Sequence, residues 1–433
     1  MELPEEYATL GEERFPSVLL AVYPEGTARP EPEAVEARLR AAGLDLSEVK
    51  AGEPVQQEGV EWTLSAMVRF AGRAEPLEFR LALTPSLGTE MLEVNDLLTA
   101  EEMEATRASE WSVSVATKFG AQPLGDFHRQ LRVVAALAED AVTVADALTQ
   151  AHHSAGWVLD VAASATPPSP KALLRVQCIT PEEGSGGSWL HSHGLLRCGL
   201  PEVEILDVSP EAAWPLQELL YSIGAFWLRT GLPDPGVKFD VGLSLDFIWL
   251  PWHEGLQHVK PGIVGTSPEE REDLHGAPGA MLFTPPAGLL KKRPGNPCKY
   301  LSNLSGEPAL WVHDDEEARM TQLARERLPR FRALQERHGG GEEWMFGVKI
   351  GFPVGDPRYP DQREHLWFQV HAFQGDRVDA TAMNDAYHIK GLREGKRGEF
   401  SLEGMSDWVI MGEEGVFTPD TIYHLERLAA GTP

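Results

Sequence analysis

Two histidines one residue apart, His191-Ser-His193, are the part of this sequence best suited to chemistry. On a strand, residues two apart point to the same face, so both imidazoles would meet one ion. Arg197 and Cys198 follow, and Glu202 and Glu204 then repeat the two-residue spacing on a second strand candidate. If the two strands pair as a hairpin, His191, His193 and a carboxylate from Glu202 or Glu204 converge. That shell would suit zinc or iron, with one position open. A metal-bound water would serve hydrolysis, the carboxylate completing the shell or acting as base while Arg197 positions an anionic substrate. The competing expectation is a pair of half-buried histidines hydrogen-bonded within a loop.

Other clusters are weaker. His-x-His resembles part of the metal motif of zinc isopeptidases, but the Ser and Asp required downstream are not at matching offsets. His253-Glu-Gly-Leu-Gln-His258 misses His-Glu-x-x-His by one residue, and Gly255 weakens the helix that motif needs. His152 and His153 are adjacent and so diverge; a solvated helix end accounts for them. Cys198 lies near both histidines, where a thiolate nucleophile or a buried, inert thiol are the alternatives. No P-loop occurs, and Gly184-Ser-Gly-Gly-Ser188 is in the wrong register for a nucleophile elbow. Asn384, Asp385, Tyr387 and His388 form a polar turn cluster, a candidate binding site that loop polarity explains equally well.

The elements that must carry these residues alternate. Ser17–Tyr23 reads as a buried strand, 31–42 as a helix, and 61–70 with 77–83 as paired strands. Trp111–Thr117 alternates as a strand, Leu124–Ala138 has helical period, and 141–144 and 172–179 are further strands. Pro201–Leu206, Val241–Pro251 and Ala280–Thr284 read as strands around a strongly apolar helix at Pro210–Thr230. Asp314–Arg337 is a charged helix that Pro329 should kink or split. Beyond Gly339-Gly-Gly341 come five short strands (345–352, 365–373, 377–383, 399–402 and 408–411). A closing helix is expected over Thr418–Ala429, with Thr418 as N-cap and Pro419 at its first position.

A chain of 433 residues exceeds the ~250–300 at which single cores stop growing, so several domains are expected. The boundaries read as 1–108 for an N-terminal α/β domain, 109–338 for a central α+β domain with the His-Ser-His segment, and 339–433 for a β-rich C-terminal domain. The fold class is α+β and multi-domain: small α/β units followed by a small β-barrel or rolled sheet. A net charge of −28 argues against nucleic acid or an anionic membrane and suits a basic protein partner. Three scattered cysteines and the lack of a leader-like N-terminus or a long apolar run point to the cytoplasm. Nothing in the sequence sets the oligomeric state.

Two stretches carry family resemblances. Phe346-Gly-Val-Lys349, His365-Leu-Trp-Phe-Gln-Val370, Asn384, Gly391-Leu-Arg-Glu-Gly395 and Asp407-Trp408 together resemble the bacterial family filed as domain of unknown function twenty-three fourteen. Ala116-Thr-Lys-Phe-Gly120, Phe127-His-Arg-Gln-Leu131, Pro167-Pro-Ser-Pro170, Trp189 to Gly194 and Pro201 to Ile205 are similar to the family filed as forty twenty-six. The resemblance implies a bacterial cytoplasmic origin and a modular architecture, and brings no activity with it. Three functions stay open: a non-catalytic binding, regulatory or immunity-type protein with an acidic surface, a metal-dependent hydrolase centred on His191 and His193, and a purely structural accessory subunit.

Overall fold

The computed structural model describes residues 14–52, 59–86, 89, 92, 98–181, 186–242, 245–271, 275, 278–286, 293–304, 314–339, 341, 343–355, 358 and 362–429. Part of the Gly184–Ser188 turn and Gly340 therefore lie outside the described residues. The chain forms two units, Met1–Ala162 with Pro168–Trp311, and Ala163–Pro167 with Val312–Pro433. The mixed α+β class holds for both.

The first unit contains two sheets. One has seven strands: β1 (Ser17–Val22), β2 (Asp45–Gly52), β3 (Trp62–Arg69), β4 (Leu77–Pro85), β5 (Trp111–Thr117), β6 (Thr143–Asp146) and β7 (Ala151–Ser154). Their order is β2-β3-β4-β5-β1-β6-β7, antiparallel throughout. Helices α1 (Pro32–Ala41), α2 (Ala100–Ala108), α3 (Pro123–Ala138) and α4 (Ala155–Ala163) accompany it. Because β5 pairs with both β1 and β4, the boundary expected at 108 falls inside one sheet. Alternation marked β3, β4 and β5 in the sequence because their buried faces repeat every second residue. The unforeseen strand β2 is an exposed edge with almost no apolar face, and a register shift interrupts it near Glu48, whose φ is 51°.

The second sheet runs β11-β12-β13-β10-β9-β8, from β8 (Arg175–Ile179), β9 (Ser188–His193), β10 (Glu202–Val208), β11 (Phe239–Asp240), β12 (Asp246–Pro251) and β13 (Gly279–Phe283). Only β10–β13 pairs in parallel. Helix α5 (Pro210–Thr230) lays Leu216, Leu219, Ile223 and Trp227 against it. The short helices α6 (Trp252–Gly255) and α7 (Leu301–Leu304) follow. One apolar cluster runs through both sheets.

Arg197 ties the two sheets together. Its side chain is 0 % exposed and pairs with Asp146 of β6 at 2.8 Å. It donates to Ser17 Oγ at the start of β1 and to the Leu173 carbonyl just before β8, and it lies over the Phe127 ring of α3. A guanidinium held in this way inside the core cannot position a substrate, so the role expected for Arg197 in anion binding is replaced by an architectural one.

In the second unit, α8 (Asp314–His338) covers a sheet of β14 (Met345–Pro353), β15 (Arg363–Gln374), β16 (Arg377–Ala382), β17 (Arg397–Ser401), β18 (Met405–Gly412) and β19 (Gly415–Phe417). The order β17-β16-β15-β14-β18-β19 leaves β17 and β19 as open edges, so the expected barrel is not closed. The apolar face of the sheet is satisfied by α8 instead: Trp408 donates to the Ala324 carbonyl at 2.9 Å and packs on Phe331. The boundary therefore precedes α8, not residue 339, because the helix belongs to the core it covers. Pro329 lies inside α8 without ending it. The closing helix α9 starts at Ile422 rather than Thr418. There the Thr421 hydroxyl captures the Thr418 N–H at 2.9 Å, and such local bonds compete with helix initiation.

Arg197→Ala should lower the stability of the first unit by about 3–5 kcal/mol, because it strands buried Asp146. Adding Asp146→Asn to Arg197→Met should recover part of the loss. Denaturant unfolding of the three variants checks both expectations.

Candidate metal centre

Strand β9 is buried along its whole length, so its polar residues must find partners inside the protein. Trp189, His191 and His193 share one face by strand periodicity. The antiparallel ladder sets Glu204 of β10 directly opposite His191. A third imidazole, His275, arrives from the segment before β13. The His275 ring lies 4.8 Å from that of His191, 5.3 Å from that of His193 and 5.5 Å from that of Trp189, centroid to centroid. One nitrogen from each of the three histidines falls within 4.8 Å of the others, the one such group of metal-capable side chains among the described residues.

His191 and His193 are each 3 % exposed, and their Nε2 atoms are 2.9 Å apart. Burial, followed by the neighbouring imidazoles, pulls His191 well below the usual imidazole range and His193 down to about 3. Both are neutral at pH 7, the state in which imidazole coordinates a metal. The void among the described residues is about 10 Å³, which suits one ion or one water. Its lining also includes Trp189, Glu204, Arg271 and Gly279.

The two glutamates have different surroundings. Glu204 takes a hydrogen bond from Trp189 Nε1 at 2.8 Å and an ion pair from Arg271 at 2.9 Å. Arg271 is sandwiched between the Trp189 and Trp252 rings and donates to the Gly265 carbonyl, so the pair is fixed. The second oxygen, Glu204 Oε1, has no hydrogen-bond partner, and neither does His191 Nδ1. Glycine is needed at position 279, where a Cβ would stand 2.8 Å from Glu204 Oε1.

Glu202 instead closes the turn between β9 and β10. It accepts from Ser192 Oγ at 2.6 Å, Gly194 N at 2.8 Å and Leu196 N at 3.2 Å. Ser192 in turn accepts the Val203 N–H at 2.9 Å. Burial raises the Glu202 carboxyl above its ordinary value against these hydrogen bonds. Of the residues singled out in the sequence, His191, His193, Glu202 and Glu204 all line the void, Glu202 with both oxygens engaged by the turn, while Arg197 holds the core. His275 had no local signal: a lone histidine in a Gly- and Pro-rich loop has no periodic partner in the sequence.

The remaining candidates fall elsewhere. Cys198 is buried and its thiol is pushed up to about 12, which leaves it inert. His152 and His153 lie on β7, not at a solvated helix end; His153 stacks on Trp157 and burial brings it down to about 4. His253 is in α6, and His258 is in the turn after it, against Phe283. In the second unit, Asn384 Oδ1 accepts the Trp367 N–H and Asp385 Oδ1 the Glu394 N–H. The backbone N–H groups of Tyr387, His388 and Ile389 all donate to Glu364. These polar groups shape the turn, and the Tyr387 ring projects from it, 90 % exposed.

No helix among the described residues is long and apolar enough to cross a membrane. No curated protein and no solved structure matches the chain. Three family models do. Protein of unknown function (DUF4026) N-terminal matches residues 17–168, its C-terminal counterpart residues 176–283, and Uncharacterized protein conserved in bacteria (DUF2314) residues 333–428. The three histidines all lie within the second of these matches. The chain thus belongs to the DUF4026 family over residues 17–283 and carries a DUF2314 domain at residues 333–428.

Proposed function

We propose that the first unit is a metal-binding module that holds one divalent transition-metal ion on His191, His193 and His275. The observation that carries this reading is the convergence of three imidazole nitrogens within 4.8 Å around a void of about 10 Å³. Imidazole ligands suit zinc, copper, iron or nickel, and three of them leave a fourth position for water or for Glu204 Oε1. A hydrolytic version would use that oxygen as the base for a metal-bound water. The described walls leave room for an ion and not for a substrate, so binding is the reading adopted. The acidic-surface reading, with a basic protein partner, rests on the net charge of −28 alone and has no located surface behind it.

Elemental analysis of the untagged protein should give about one equivalent of zinc after incubation and desalting. Zinc at 100 times its Kd should raise unfolding stability by about 2.7 kcal/mol. His275→Ala and the His191→Ala/His193→Ala pair should abolish both effects; wild-type protein without zinc and without stabilisation would end the proposal.

Glu204→Gln separates the ion from its surroundings. It keeps three imidazoles but leaves buried Arg271 without a counter-charge, so stability should fall by about 3–5 kcal/mol. Zinc stoichiometry should stay near one, as read by chemical denaturation alongside metal analysis.

A further inference from the structure

The second unit lines up three polar residues on its own cavity, the first two joined by a hydrogen bond and the second and third within ion-pair distance. Along the β14–β18 ladder, Lys349 pairs with Asp407 but Ile350 pairs with Met405, so Ser406 is an extra residue on β18. A bulge of this kind re-aims a side chain out of the regular alternation. Ser406 Oγ lies 2.8 Å from His365 Nδ1 on β15, and His365 Nε2 lies 3.3 Å from Glu317 Oε1 on α8. All three residues line a cavity of about 880 Å³, whose walls also include Arg325, Arg363 and Gly404.

The proton positions follow from the partners. A carboxylate oxygen facing Nε2 favours the tautomer with the hydrogen on that nitrogen. Nδ1 then presents a lone pair, and the Ser406 hydroxyl donates to it. That is the order of a carboxylate–imidazole–hydroxyl relay, with the two ring nitrogens exchanged relative to the serine-protease arrangement. Two glycines make room for it. A Cβ at Gly351, the cross-strand neighbour of His365, would stand 2.9 Å from His365 Cε1, and a Cβ at Gly404 would collide with the Gly351 carbonyl. Arg363 donates to the Gly351 carbonyl at 3.0 Å, and Arg325 to the Glu403 carbonyl at 2.7 Å, which fixes both guanidinium groups at the cavity wall.

We propose that Glu317, His365 and Ser406 form an acyl-transfer site for a carboxylic ester. Ser406 Oγ attacks the ester carbonyl carbon as its proton passes to His365 Nδ1. The tetrahedral adduct collapses with cleavage of the ester C–O bond, and His365 returns the proton to the departing alkoxide as the alcohol leaves. Water, deprotonated by the same nitrogen, then attacks the acyl carbon; the Oγ–C bond breaks, Ser406 recovers the proton and the carboxylic acid is released. Glu317 holds the imidazole in its tautomer and offsets the charge it gains. Arg325 and Arg363 at the wall would offset the charge of the oxyanion.

The test is covalent labelling of the full-length protein with a fluorophosphonate, followed by intact mass and peptide mapping. One adduct on Ser406 is expected, absent in Ser406→Ala and formed about 10²–10⁴-fold more slowly in His365→Ala. Glu317→Gln, at a half-exposed position, keeps the fold intact and should also slow labelling. Each variant is compared with wild type by thermal unfolding, so a loss of label is read only from folded protein. Chelator should have no effect, since the histidine centre of the first unit takes no part. No adduct on the wild type, an adduct on another residue, or labelling that does not respond to His365→Ala would overturn the proposal.

Discussion

Two carboxylates on a buried central strand constrain the first unit more than any other feature. Strand β10 has neighbours on both sides and is covered by α5, yet it carries Glu202 and Glu204. An uncompensated buried carboxylate is costly, so each must be answered locally. For Glu204 the answer comes from far along the chain: Arg271, held between two tryptophans, and the indole N–H of Trp189. For Glu202 it comes from the β9–β10 turn, whose N–H groups and Ser192 hydroxyl close on the carboxylate. Fixing Trp189 and Ser192 fixes the strand between and beyond them, and the orientation of His191 and His193 follows.

The sequence revealed those elements whose physics is local. Alternation located β3 and β5, and helical period located α3, because a half-buried surface imposes its own repeat. The two-residue spacing of His191 and His193, with Glu204 on the next strand, was legible for the same reason. What depends on non-local packing was hidden. Nothing near Arg197 in sequence indicates Asp146 or Ser17, so a core guanidinium read as an exposed one. His275 joins the histidine pair through the parallel β10–β13 pairing, a long-range contact with no sequence period. The C-terminal strands suggested a barrel because strand patterns do not record whether the first and last meet; α8 supplies the cover that closure would have given.

The second unit solves its packing differently. Its centre is Trp408, fully buried and hydrogen-bonded to the backbone of α8, with Phe331 against it. Asp407, next to it, is pushed up to about 6, mainly by burial, although it accepts the Trp408 N–H. That carboxyl favours the protonated form in the fold. Its stabilising contribution is therefore complete below the ordinary carboxyl value and fades as pH rises through about 6. The bulge at Ser406 lies immediately before this anchored pair, so a rigid element holds the one residue that departs from the ladder.

Charge decides how a dication would fare among the three histidines. Neutral imidazoles offer lone pairs but no charge, and the Arg271 guanidinium nearby opposes any cation. Glu204 cancels that opposition through one oxygen and leaves the other without a partner beside the void. The Arg271–Glu204 pair sums to zero and His191 and His193 are neutral, so an entering dication is not met by an uncompensated cation. Selection would then rest on imidazole affinity and on the separation of three nitrogens, a basis that favours borderline transition metals over calcium or magnesium.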